Sequence, residues 1–235
     1  MTPVIAEVRV VDDVEAWGAA GFSVGGDGVV IVGRTRIRVV CDEEVLASRP
    51  GLAGWALRAI PGDALAGPEG DVDGLPTEVV PSAADDELDE DEAGDEPADP
   101  HPNGVIGLDH VVVLTPDIDR TTKALAVIGL EPRRTRQAGT GPDGVTRLQR
   151  FFRLGDVILE VVGPDVATGD GPARFWGLAY VVGDLDATAA RLGDRMSRPR
   201  DAVQPGRRIA ALRPTAGLAV PTAFLTPDRR AAHSA

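Results

Sequence analysis

Two strand-like runs that meet at Gly155-Asp156 limit what this chain can fold into more than any other feature. The runs cover residues 147–154 and 157–164, and a two-residue connection with glycine first is a tight hairpin turn. With that turn fixed, Leu154 lies opposite Val157, Arg153 opposite Ile158 and Phe151 opposite Glu160. Side chains alternate between the faces of a strand. Arg147, Gln149, Phe151, Arg153, Ile158 and Glu160 therefore share one face. The other face carries Leu148, Phe152, Leu154, Val157, Leu159 and Val161, with Arg150 as its only charge. The apolar face is expected to meet a helix. The mixed face has the character of a wet, concave lining, and a plain solvated sheet face would show the same pattern.

The hairpin is the end of a longer pattern. The β-branched run 111–114 reads as a buried strand. Asp117 or Asp119 can cap a helix that continues through Lys123, Ala124, Val127 and Ile128 and stops at Gly129. The same order of strand, helix and hairpin occurs at the start of the chain. There, 7–11 is a strand, Asp12 or Asp13 caps a helix over 14–20 ended by Gly21, and strands at 29–32 and 36–40 join through Gly33-Arg34. Gly33-Arg-Thr-Arg-Ile-Arg-Val-Val40 parallels Gly155-Asp-Val-Ile-Leu-Glu-Val-Val162, so residues 1–45 read as a diverged copy. In that copy Arg38 stands where Glu160 stands, and no histidine heads the first strand. A further strand at 176–182, a helix over 187–192 capped by Asp184 or Asp186, and strands at 207–212 and 220–225 repeat the order again. Residues 54–60 read as the opening of another module, and 61–81, with only a short strand at 77–80, as its truncated remainder or as an extended cover.

Four stretches carry a resemblance. They are His110 at the head of a strand that leads to Asp117-Ile-Asp119, the run Gly155-Asp-Val-Ile-Leu-Glu-Val-Val-Gly-Pro164, and the pair Phe175-Trp-Gly-Leu-Ala-Tyr-Val-Val-Gly-Asp-Leu-Asp186 and Ala219-Val-Pro-Thr-Ala-Phe-Leu-Thr-Pro227. Together they resemble the vicinal oxygen chelate superfamily, the group of glyoxalases, bleomycin-resistance proteins and ring-cleaving dioxygenases. The resemblance covers roughly the C-terminal half. It implies an α+β fold of paired βαβββ modules, whose curled mixed sheet forms a cup with the helices outside.

Composition sets the remaining bounds. The chain has 235 residues and 43% hydrophobic content, enough for a packed core, but only 4% aromatics. Of its carboxylates, ten lie between Asp85 and Asp99, and the net charge of −13 becomes −3 when those ten are set aside. Acid runs with little to bury stay unfolded, so 82–103 reads as a disordered linker. The domains expected are a degenerate N-terminal lobe at 1–81, that linker, a glyoxalase-like domain at 104–228 and a frayed tail at 229–235, which holds His233. No basic field suits nucleic acid. No apolar run approaches the ~20 residues of a membrane span, and the N-terminus lacks a signal pattern. Cys41 is the single cysteine and reads as a small buried hydrophobe. A cytoplasmic chain is the simplest reading, and a homodimer is allowed.

The resemblance implies a chemistry. Proteins of this superfamily hold one divalent metal with two ligands from each of two paired modules. His110 and Glu160 match the two ligand places of the central module, a donor mix that suits Fe, Mn, Zn or Ni. Glu160 would double as the catalytic base. Aligned on Asp184 and Pro227, the second module has Gly177 and Ala223 in the matching places, and neither side chain can ligate. With two ligands the metal site is incomplete, since catalytic sites normally keep three protein ligands. Without a metal, His110 is a structural histidine and Glu160 pairs with an arginine such as Arg147 or Arg153. Arg147, Gln149, Phe151 and Arg153 would equally bind an anionic or carbonyl-bearing small molecule, with Trp176 stacking at the rim or filling core. Two functions are therefore expected: a protein that binds a small molecule in a sheet cup, or a metal-dependent lyase, isomerase or dioxygenase.

Overall fold

Asp117 accepts hydrogen bonds from the backbone N–H groups of Asp119 and Arg120 and so starts the helix α2, Ile118–Val127. The same device starts two further helices among the described residues. Asp13 accepts from Glu15 N–H at α1, Val14–Ala19, and Asp184 accepts from Asp186 and Ala187 at α3, Leu185–Leu192. Each cap satisfies donors that a helix start leaves unpaired. Gly21 and Gly129, expected to stop α1 and α2, adopt φ of 83° in both cases, a conformation that favours glycine. This is a computed structural model, and it describes residues 2–42, 44, 46, 49–60, 69–80 and 100–228.

The strands are β1 (Val4–Val11), β2 (Val29–Val32), β3 (Thr35–Val40), β4 (Gly51–Arg58), β5 (Glu69–Val72), β6 (Leu75–Val79), β7 (Val105–Leu114), β8 (Arg134–Thr140), β9 (Thr146–Leu154), β10 (Val157–Pro164), β11 (Arg174–Val182), β12 (Arg200–Asp201), β13 (Arg208–Ala211) and β14 (Thr222–Leu225). They form a six-stranded sheet in the order β2-β3-β1-β4-β6-β5 and an eight-stranded sheet in the order β12-β13-β14-β11-β7-β10-β9-β8. The mixed pairing, with few helices, is the α+β class expected. The runs β7-α2-β8-β9-β10 and β11-α3-β12-β13-β14 are both βαβββ.

By compactness the chain divides into two units. The first comprises Met1–Val8, Ala53–Glu96 and His110–Trp176. Its C-terminal part packs the apolar faces of β9 and β10 on α2: Phe152, Leu154, Leu159, Val161, Leu125 and Ile128 are all fully buried. Arg150, the one charge on that face, reaches past them to Asp119 and to the hydroxyl of Thr122 on α2. In the same unit the β5–β6 turn is fastened by Asp73, whose carboxylate receives Arg120 and the hydroxyl of Thr121. The paired carboxylate raises the pKa of Arg120 still further. Trp55 donates to Thr77 and stands edge-on to Phe175.

The second unit comprises Arg9–Leu52, Pro97–Asp109 and Gly177–Ala235. An aromatic cluster fills it, with Phe22 4.9 Å from Trp17 and 5.1 Å from Tyr180 between ring centroids. Buried Asp12 accepts from the indole N–H of Trp17 and from Ala219 N–H. Arg207, 3% exposed, holds Asp109 through two hydrogen bonds and also donates to the carbonyl of Thr226. A buried guanidinium is tolerable only when paired in this way.

Several details differ from the sequence reading. Strand β8 falls where no element was expected, and β5 precedes the strand expected at 77–80. Cys41 is exposed, because it lies one residue beyond the end of β3, where the alternation of that strand no longer covers it. The acidic run 85–99, residues 61–68 and His233 lie outside the described residues. Pro100 to Asn103, assigned to the linker, are described. His101 and Asn103 are buried there, and Asn103 donates to the carbonyl of Ala20. No helix among the described residues is long and apolar enough to cross a membrane.

Candidate functional site

The turn at Gly155 sets the register of the site. Val157 pairs with Leu154, Ile158 with Arg153, and Glu160 with Phe151, the pairing read from the sequence. Gly155 adopts φ of 63°, which the turn requires of its first residue. On the other side β10 runs parallel to β7, with Ile158 beside His110 and Glu160 beside Val112. His110 and Val112 are two residues apart and so face the same way. His110 and Glu160 therefore share one face of the sheet. Strand β8 extends that face, because Arg134 stands opposite Phe151 and Arg136 opposite Gln149.

The face is a small grid within the first unit. One row holds Arg136, Gln149 and Val162; the next holds Arg134, Phe151, Glu160 and Val112; the third holds Arg153, Ile158 and His110. The middle of the grid is half-buried, while Arg134 and Arg153 are exposed. Polar contacts run across it. Gln149 donates its amide N–H to Glu160 Oε1, and Arg136 donates to Gln149 Oε1, with Nε at 2.8 Å. Two N–H groups of the guanidinium on one oxygen fix which way the amide points. The guanidinium also lies 5.9 Å from the centroid of the Phe151 ring, within cation–π range. On its other side Phe151 meets the His110 imidazole edge-on at 6.4 Å.

Of the residues expected from sequence, His110, Gln149, Phe151, Arg153 and Glu160 come together here. Arg147 is on the same face but bonds Asp143 in a salt bridge of 2.6 Å; the guanidinium holds the Asp143 carboxyl at about 2. Glu160 is paired with the Gln149 amide rather than with Arg147. Trp176 is 45% exposed, and alternation along β11 puts it on the side of Leu178 and Tyr180, opposite to Gly177. Arg134 and Arg136 were missed. They lie on a strand whose only small apolar residues are Ala138 and Gly139, so the sequence offers no apolar alternation to read.

The donor set does not fit a divalent metal. Among the described residues no group of three or more His, Cys, Asp or Glu side chains could hold one. One oxygen of Glu160 already accepts the Gln149 amide. In the second unit, position 177 could not supply a ligand even by substitution, since a Cβ there would lie 2.6 Å from the Pro221 carbonyl oxygen. Ala179 and Ala223 stand side by side across β11 and β14 and add no donor.

No protein-family model matches the chain, and no curated protein matches it. Solved structures do match. A mutant of 4-hydroxymandelate synthase from Streptomyces coelicolor superposes with a TM-score of 0.59 at 13% identity, over 97% of this chain and 93% of that one. A xylose isomerase-like TIM barrel/4-hydroxyphenylpyruvate dioxygenase fusion protein gives 0.61 at 12% identity, over 100% of this chain and 51% of that one. Methylmalonyl-CoA epimerase from Mycobacterium tuberculosis matches 56% of this chain at 21% identity and a TM-score of 0.42. Identities this low speak to the fold alone.

Proposed function

We propose, from the premise that this chain has the vicinal oxygen chelate fold, that it binds a small molecule on the β8–β9–β10–β7 face without a metal ion. The observation that carries this is the bond from Gln149 to Glu160, fixed in turn by Arg136. The amide N–H occupies one of the two Glu160 oxygens, and the described residues offer too few donors to complete a site. What remains is suited to recognition. Phe151 provides an aromatic surface, His110 and Glu160 provide polar groups beside it, and the arginines provide charge. Ligand-binding proteins of the bleomycin-resistance type are the precedent within the fold. A cytoplasmic protein that sequesters or carries its ligand is the corresponding role.

Elemental analysis of the purified full chain, before and after incubation with Fe, Mn, Zn and Ni salts, tests the metal-free part. Bound metal should stay far below one equivalent, and His110→Ala should leave it unchanged. Near-stoichiometric metal that His110→Ala removes would overturn the reading and favour a metal-dependent lyase, isomerase or dioxygenase. A thermal-shift screen of small molecules tests binding. Compounds that stabilise the protein should lose their effect with Phe151→Ala; hits indifferent to that change would remove the face from consideration.

A further inference from the structure

Resting on that reading of the face as a binding surface, we infer that its ligand is a small organic anion, whose charge is met by Arg134 and Arg153 while its apolar body lies against Phe151. The grid provides the geometry. Arg134 is directly opposite Phe151, and Arg153 is two residues further along β9, on the same face. Diagonal neighbours of this kind sit roughly 7–8 Å apart, a spacing that two long guanidinium side chains can bridge onto one carboxylate or phosphate. Among the described residues neither arginine forms an ion pair, whereas Arg120, Arg147, Arg150, Arg207 and Arg208 each hold a carboxylate. Arg136 adds a third cation and is itself fastened by Gln149 and Phe151, with no carboxylate on it.

The charge count supports the same class. Apart from the Arg147–Asp143 pair, the face carries three arginines and one carboxylate, Glu160, in a chain whose net charge is −13. A local cationic surface on an acidic protein attracts anions, repels cations and gives neutral competitors no electrostatic gain. The apolar part of the ligand follows from Phe151, which is half-buried and already clasped by Arg136 on one side and His110 on the other. Its remaining surface is a platform for a flat or apolar group. The guanidinium groups thus supply the positive charge that a metal cannot supply here.

Amide chemical-shift perturbation of the full-length protein, titrated with benzoate, with benzamide as its neutral counterpart and with inorganic phosphate, tests this. Benzoate should shift the amides of Arg134, Phe151, Arg153 and Glu160, and benzamide should not. The double change Arg134→Gln with Arg153→Gln should weaken benzoate binding about tenfold, the loss expected for a charge-assisted contact. Arg208→Gln, which breaks only an exposed pair with Asp186, should leave it unchanged. Phosphate that matches benzoate would assign the site to oxyanions in general; benzoate alone would assign it to carboxylates with an apolar body. Equal shifts from benzamide would overturn the anion class and leave the binding surface standing. No shift on this face from any of the three, or binding unaffected by the arginine changes, would overturn the inference.

Discussion

Gln149 on β9 donates its amide N–H to Glu160 on β10, one step diagonally across the hairpin. The contact links two side chains that sequence spacing alone would place on the same face but not in touch. Both are half-buried, so the bond is partly shielded from water. A hydrogen bond to a charged group contributes about 1.5–3 kcal/mol when well formed, and about 1 kcal/mol is expected at this exposure.

A double-mutant cycle with Gln149→Ala and Glu160→Ala, read by urea unfolding, should therefore give a coupling energy of about 1 kcal/mol. Arg136→Ala should reduce that coupling, because it releases the amide. A coupling indistinguishable from zero would mean that the two side chains do not hold each other in solution.

Gly177 is a second test, and it bears on why the metal positions are empty of donors. A Cβ at 177 would sit 2.6 Å from the carbonyl oxygen of Pro221, closer than real contacts allow, and the atom in the way is backbone. Gly177→Ala should cost about 1–3 kcal/mol of stability, as overpacking does. Gly183→Ala, where nothing lies within 4 Å, is the matched control and should cost little. Equal effects at the two glycines would show that β14 can move aside.

How much of this was legible in the sequence depends on how each element announces itself. The β9–β10 hairpin was readable to single-residue register because Gly155 fixes the turn and one face is continuously apolar. The helix starts were readable because aspartate capping is local chemistry. Strand β8 was not, since Arg134–Thr140 has polar residues on both faces and owes its place to pairing with β9. That is why Arg136, which organises Gln149 and Phe151, was invisible. His101 was lost for a different reason: it follows a run of acids, and composition there outweighs a single ring that finds a buried seat.

Tyr180 gives the third prediction. Its hydroxyl is buried with no hydrogen-bond partner among the described residues, inside a cluster with Phe22 and Phe224. Burial pushes its pKa well up, so the group stays neutral. A hydroxyl desolvated without a partner is a cost that phenylalanine avoids. Tyr180→Phe should thus leave stability unchanged or raise it by about 1 kcal/mol. Trp17→Phe in the same cluster should lower it, because Asp12 would lose its indole donor. A marked loss with Tyr180→Phe, measured by thermal or urea unfolding, would reveal a partner for the hydroxyl.

His101 makes stability depend on pH. Its ring is 8% exposed, accepts from Ser23 N–H at Nδ1 over 3.1 Å, and lies 2.9 Å from the Ile31 carbonyl through Nε2. This arrangement uses the neutral tautomer with the proton on Nε2, and Phe22 closes the ring in edge-on at 5.8 Å. Burial lowers the pKa below its ordinary 6.5, and the Ile31 bond opposes that only in part. A second proton would go on Nδ1 and turn an acceptor toward the Ser23 N–H into a competing donor. The unfolded chain takes up that proton first as pH falls. The contribution of His101 is therefore complete above pH 6.5 and is lost as pH drops from there through the lowered folded value. Urea unfolding followed from about pH 8 to about pH 5 should show stability falling below about pH 6.5, at a slope of up to one proton. His101→Gln, which can keep one of the two bonds, should be less stable at neutral pH and should remove that part of the slope. An identical pH profile in the two proteins would show that the ring takes up its proton alike in the folded and the unfolded chain, against the burial argued here.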